Sequence, residues 1–246
     1  MFQGFNESTL KYWKKLQENN SKDTFRKEQQ IYLEGIKYPL EDLYYDLMDY
    51  FFTVDKDLNF RKNSCISSPY NDARFCGQTP MKEYIYVRFK LAKSRKENVV
   101  GFYFDASENC FRYGINIYNL NARGMEQIRG KLLEDEQKSR KLIRRLEERQ
   151  TLEVSGEFYK RSYYPDKDAV LRKWLDRKSI HFSHEEPMNQ AFFERTLLEN
   201  MLEAFEEVRD IYLGLKQALG GNDIIEKTLK GQSGQGGSRP IKANRD

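Results

Sequence analysis

Histidine is almost missing from this chain; His181 and His184 are its only two. Any acid–base chemistry would therefore rest mainly on carboxylate, lysine, tyrosine or cysteine side chains. Cysteine is nearly as scarce. Cys65, Cys76 and Cys110 form no CxxC or zinc-like spacing, which points to reduced thiols in a cytoplasmic protein rather than to a disulfide framework. No window approaches the ~18 consecutive apolar residues of a membrane span. The opening residues, Met-Phe-Gln-Gly-Phe-Asn-Glu-Ser, lack the basic stretch and apolar run of a signal peptide. The phosphate loop GxxxxGK(S/T), GxGxxG, HExxH and GxSxG are absent, which removes the enzyme classes that those motifs mark. No cofactor is called for. A metal site would have to join His181 and His184 with Glu185 or Glu186, but residues three apart on a strand point to opposite faces, so none is expected.

What is present is the material for a packed body with a heavily charged surface. Of the 246 residues, 39% are hydrophobic and 14% aromatic, enough for a real core. Charged residues make up 33% but nearly cancel, leaving a net of +4. The Gly/Ser/Gln-rich stretch 220–246 carries part of that excess through Lys227, Lys230, Arg239, Lys242 and Arg245, against Asp223, Glu226 and Asp246. The remaining body has no dominant field for drawing in nucleic acid.

Hydrophobic spacing divides the chain. Residues 1–55 read as helical: a first helix capped by Ser8 with Leu10, Trp13 and Leu16 inward, a second from Lys22 to Gly35, and a third opened by Pro39 with Leu40, Leu43 and Leu47 in its stripe. Tyr38, preceding proline, marks the boundary between the last two. From 84 to 118 the period changes to two, predicting strands at 84–91, 99–106 and 109–118 with a tight turn between the latter pair. A long charged helix is expected over 121–150. Residues 151–186 are mixed, with strands near 158–162 and 179–183 around a helix at 166–176. A C-terminal helix covers 188–219, ended by Gly220-Gly221, and a flexible basic tail follows. Consecutive strands without intervening helices define an α+β fold: one domain over 1–219, an antiparallel sheet packed against N-terminal and C-terminal helices.

Three features could carry function. Lys138, Lys141, Arg145 and Arg149 share one helical face and could lie along a nucleic-acid backbone; pairs such as Glu134 with Lys138 would instead make it a solvated face. Leu198, Met201, Phe205, Val208 and Tyr212 recur at steps of three and four, a stripe for the core or for a homodimer seam. The third is the turn-rich stretch Ser64–Lys82, where Asp72 and Arg74 lie too close in sequence for a helical ion pair. Arg74 and Lys82 could hold an oxyanion with Asp72 orienting Arg74, or Asp72 and Arg74 could pin the loop to the helical layer.

That stretch also carries a resemblance. Over about residues 5–185 the chain resembles a widespread bacterial and fungal family known as domain of unknown function twenty-four sixty-one. Its signature is similar to R-D-x-R-F-S followed by P-x-K, here Asn71-Asp72-Ala73-Arg74-Phe75-Cys76 and Pro80-Met81-Lys82. Asn19–Phe25, Gly101-Phe102-Tyr103, Gly114, Ile128-Arg129 and Lys160-Arg161 also match. Asn71 stands where the family usually has Arg, and Cys76 where it has Ser; the first weakens a phosphate-binding role for the loop. The resemblance implies one continuous domain but no reaction. The expectation is a small anionic ligand held by Asp72, Arg74 and Lys82, joined by Arg129 and Arg161. The rivals are nucleic acid on the Lys138–Arg149 face and a dimer through the C-terminal helix.

Overall fold

The first helix, α1 (Glu7–Glu18), buries Thr9, Tyr12, Trp13 and Leu16. Its cap is Asn6 rather than Ser8: Asn6 Oδ1 accepts the Ser8 N–H at 2.9 Å, and Thr9 Oγ1 takes the Asn6 N–H at 3.3 Å. The structure, a computed structural model, describes residues 1–74, 77, 79–92 and 97–232, with 221–232 as backbone alone. Phe75 and Cys76 of the loop signature, and residues 233–246 of the expected tail, lie outside the described residues.

The expected second and third helices are one broken rod. α2 (Lys22–Lys27) and α3 (Gln29–Tyr32) lead into a π-helical turn (Leu33–Lys37) that continues directly as α4 (Tyr38–Val54). Tyr38 keeps α-helical angles (φ −66°, ψ −48°) despite preceding Pro39, so no boundary falls there. The turn explains how. The Tyr38 N–H reaches back to Leu33 O, one residue further than in an α-helix, and Pro39 has no N–H to offer. The carbonyls of Glu34 and Gly35 are thereby freed, and the start of α1 takes both: Asn6 Nδ2 donates to Glu34 O at 2.9 Å and Thr9 Oγ1 to Gly35 O at 2.6 Å. Gly35 must be small for this approach, because a Cβ there would sit 2.5 Å from Ser8 C.

Beyond α4 a single helical turn, α5 (Lys62–Cys65), leads to the sheet, in which among the described residues five strands pair antiparallel: β1 (Tyr84–Lys90), β2 (Val99–Ser107), β3 (Cys110–Tyr118), β4 (Glu153–Ser155) and β5 (His181–Pro187), in the order β1-β2-β3-β5-β4. The alternation read from 84–118 is realised. Val87, Phe89, Val100, Phe102, Phe104, Ile115 and Phe182 turn to one face and are buried. On that face α4 lays Phe51 flat on Phe102 (ring centroids 4.3 Å) and Tyr44 flat on Phe89 (5.6 Å).

Past β3 several expectations need correction. The 121–150 helix is two, α6 (Ala122–Glu134) and α7 (Glu136–Arg149), broken at Asp135 (φ −143°, ψ 83°), whose side chain caps α7 at the Lys138 N–H (2.9 Å). The break prevents the Glu134–Lys138 pair, and Glu134 binds Lys131 instead (2.7 Å). The stretch 158–162 is no strand; only Phe158 bridges, to Arg177, while the strand forms earlier as β4. After α8 (Ala169–Leu175) and β5, a 3₁₀ turn (Gln190–Phe193) precedes α9 (Thr196–Glu207) and α10 (Arg209–Gln232), so 188–219 is not one helix and Gly220-Gly221 do not end it. Leu198, Met201, Phe205, Val208 and Tyr212 are all buried within the chain, Phe205 and Tyr212 against Phe102 (5.3 and 4.4 Å). The stripe is packed into the chain's own core.

A polar clasp fastens α10 to the end of α4. Asp55, buried, accepts from Tyr212 Oη (2.5 Å) and Lys216 Nζ (2.7 Å), and Lys216 also reaches Asp57 (2.7 Å). Burial alone would raise the Asp55 carboxyl, but the hydrogen bonds from Lys216, Tyr212 and the Asp57 N–H outweigh it and hold it below its usual value.

Thr9→Val leaves the Gly35 carbonyl buried without a donor and is expected to cost about 1–3 kcal/mol; Gly35→Ala should cost about as much by overpacking. Both are read as a lowered Tm, and an unchanged Tm in Thr9→Val would refute the role given to that hydroxyl. The Asp55 carboxylate, more acidic in the fold than in the open chain, adds stability above about pH 4 that is lost as pH falls further. Urea denaturation at pH 7 and pH 3 should show a smaller pH-dependent loss in Asp55→Asn than in the native chain; equal losses would contradict the clasp.

Candidate functional site

The face of the sheet turned away from α4, α9 and α10 is polar and aromatic. The register sets its side chains in rows across the strands. One row runs Tyr86, Asp105, Arg112, Glu185; the next runs Arg88, Tyr103, Gly114, Ser183, Glu153. Beyond it lie Lys90, Gly101 and Asn116, then Tyr118. Two of these positions are glycine because neighbouring backbone leaves no room. A Cβ on Gly114 would run into the Phe182 carbonyl, and one on Gly101 into the Phe89 carbonyl with Lys90 Cγ 3.1 Å away. The glycines remove side chains from the middle of the face. A hollow of about 410 Å³ results, lined by Arg88, Tyr103, Asn116, Tyr118, His181 and Ser183 among others.

Charge on this face is unevenly matched. Arg112 is held by Asp105 (2.9 Å) and stands 3.9 Å from Glu185, so that row carries one carboxylate more than it has cations. Arg88 and Lys90 are half-buried and have no carboxylate partner among the described residues. Each rests on a ring: the Arg88 guanidinium lies 3.8 Å from the Tyr86 centroid, Lys90 Nζ 4.6 Å from that of Tyr118. Burial and the charge of Arg88 push the ammonium of Lys90, and that of Lys82, below its ordinary value. Burial pushes the phenols of Tyr103 and Tyr118 up to about 12, so both stay neutral. The Tyr118 hydroxyl is sealed from solvent and makes no well-formed hydrogen bond, with the Asn116 side chain beside it. The arrangement can hold an anion: fixed cations in partly desolvated surroundings, with neutral donors around them.

The residues expected to form a site do not converge. Asp72 and Arg74 do meet, in a two-pronged pair (3.0 and 2.6 Å) that the Arg74 N–H reinforces (3.0 Å). The pair is exposed, with 78% of the Arg74 side chain accessible. Asn71 closes the loop beneath it, its amide donating to Thr79 O (2.7 Å) and Met81 O (3.0 Å). Lys82 donates to Ser68 O and Oγ (3.2 Å each), and its ammonium lies 5.7 Å from the Tyr86 ring, at the border of the sheet face. Arg129 is only 2% exposed and fully used: it donates to Leu175 O (2.8 Å), Arg177 O (2.5 Å) and Glu126 (2.6 Å), tying down the end of α8. Arg161 lies exposed between β4 and α8. Lys138, Lys141 and Arg149 are exposed on α7, while Arg145 donates to Glu207 O (3.2 Å).

The two histidines point to opposite sides of β5, as its period requires. His184 stacks on Tyr113 (4.7 Å) and its Nε2 lies 2.6 Å from Glu186, while His181 borders the hollow. No group of three or more His, Cys, Asp or Glu side chains among the described residues is placed to hold a metal ion. Arg88, Lys90 and Tyr118 give no signal in the sequence beyond lying on the outward half of a strand, and Tyr103 is marked there only by its match to the family.

Residues 8–213 match the pattern of a family described as conserved hypothetical protein (DUF2461), and the chain belongs to that family. No curated protein matches it. No helix among the described residues is long and apolar enough to cross a membrane. Among the positions that carried the family resemblance, Lys82, Gly101, Tyr103 and Gly114 lie on or beside the open sheet face.

The contrast between Arg129 and Arg161 is testable. Arg129→Met orphans the carbonyls at the end of α8 and is expected to cost about 3 kcal/mol. Arg161→Ala, on the surface, should stay within about 0.5 kcal/mol. Urea denaturation of both variants reads this, and a neutral Arg129→Met would overturn the structural role given to that residue.

Proposed function

We propose that this protein binds a small anionic ligand on the open face of its sheet, with Arg88 as the principal grip and Lys90 and Lys82 adding positive charge on either side. One observation carries the reading: Arg88 and Lys90 face outward without a carboxylate partner among the described residues, while Asp105 in the adjoining row is engaged by Arg112. Two cations left unneutralised beside a hollow of about 410 Å³ are complementary to a compact anion. In this reading the grip passes from Arg74, which is tied to Asp72, to Arg88, and Asp72–Arg74 fastens its loop. Lys82 keeps the part of a supporting point charge.

A thermal-shift panel of inorganic phosphate, carboxylic acids, nucleotides, sugar phosphates, divalent metals and short oligonucleotides tests it. A ligand at 100 times its Kd adds about 2.7 kcal/mol of stability, a readily visible rise in Tm. The rise is expected for a small anion, abolished by Arg88→Ala and retained by Arg74→Ala. Loss in Arg74→Ala alone would return the site to the loop. A response to oligonucleotides alone, falling steeply with salt, would move the function to the exposed cations of α7.

A further inference from the structure

We infer that the ligand of this face is a phosphorylated sugar or polyol, a compact anion carrying several hydroxyl groups; the inference rests on the anion-binding reading above. The hollow has two unlike sides. Arg88, its one lining cation without a carboxylate partner among the described residues, comes from β1, while His181 and Ser183 on β5 and Ser155 on β4 border the far side. Neighbouring strands lie about 4.8 Å apart. The far groups therefore stand beyond the reach of a bare phosphate seated on Arg88, but within reach of a body attached to it.

Those groups are uncommitted. The hydroxyls of Tyr103, Ser155 and Ser183 and the ring of His181 make no hydrogen bond within the chain among the described residues. Several serine hydroxyls elsewhere are put to use: Ser67 accepts the Tyr86 N–H, Ser139 donates to Leu132 O, and Ser162 donates to Asp176. The carboxylate of Glu185 is half-free as well, 3.9 Å from its nearest cation. Donors and acceptors thus alternate along the far side, which suits hydroxyls that both give and accept hydrogen bonds.

Two other anion classes fit less well. A nucleotide base stacks on an open aromatic face, and with the Tyr86 ring under Arg88 and the Tyr118 ring under Lys90 only the half-buried Tyr103 is left to offer one. An aryl or fatty acid needs apolar walls, and Ile115, the one aliphatic residue along the hollow, turns its side chain into the core.

Isothermal titration of the full chain decides the matter, using inorganic phosphate, a pentose phosphate, a hexose phosphate, phenyl phosphate, AMP and the unphosphorylated sugars. A sugar phosphate is expected to bind at least ~10-fold more tightly than inorganic phosphate, since two or more added hydrogen bonds bring that much. Phenyl phosphate should match inorganic phosphate. The double variant His181→Ala, Ser183→Ala, both on the surface of the sheet, should erase the sugar's advantage and leave phosphate affinity unchanged; Arg88→Ala should abolish both. Equal affinity for phosphate and sugar phosphates would overturn the inference and leave the anion site standing. Tightest binding of phenyl phosphate or AMP would replace it with a planar ligand. Failure of every phosphate to bind would remove the anion site itself, and the inference with it.

Discussion

The packing of Phe51, Phe205 and Tyr212 on Phe102 decides which side of the sheet is inside. Three helices, α4, α9 and α10, meet on one ring of the central part of the meander, and each contributes an aromatic side chain to it. Truncating such a ring in a core typically costs about 3–5 kcal/mol. Because strand side chains alternate, committing Phe102 inward commits Tyr103 outward, and the same choice propagates through β1 and β3 by register. The polar aromatic face is therefore a by-product of the core, held in place by helices on the opposite side.

The helical layer has its own dependency. α4 can carry Phe51 and Tyr44 to the sheet as the continuation of a rod only because the π turn before it absorbs Pro39. The two carbonyls released there are met by Asn6 and Thr9 of α1, and Gly35 lets α1 come close enough to do so. At the other end of α4, Asp55 clasps Tyr212 and Lys216. Polar contacts thus locate both ends of a helix whose middle is held by rings.

The three consecutive strands were legible in the sequence nearly to the residue, because one-sided burial writes a period of two. The helical character of the first 55 residues followed from spacing as well, and spacing marked the Leu198–Tyr212 stripe while leaving open whether the core or a partner would cover it. What spacing could not show was where a hydrophobic period continues across a break. Leu132 and Ile143 keep phase closely enough that only Asp135, acting as a cap, betrays the division of α6 from α7. β4 is too short to leave a pattern. The candidate site was hidden for a different reason. Arg88 and Ser183 are far apart in sequence, and only the pairing of β3 with β5 brings their strands into one sheet. The loop of Asp72 and Arg74 drew notice because irregular charged segments often bear function, while Arg129 gave no local sign that its donors were needed at the end of another helix.

The strand order has a consequence for how the chain reaches this state. β1, β2 and β3 are neighbours in sequence and pair as a meander, a local topology whose closure is fast. β5 arrives only after residues 119–180 and then pairs with β3 on one side and β4 on the other. Until it does, β3 presents an open ladder of N–H and C=O groups, the kind of edge that recruits strands from other molecules. During synthesis that edge stays bare while some sixty residues emerge, so the intervening helices α6, α7 and α8 and their anchor Arg129 bear on solubility as much as on the finished fold.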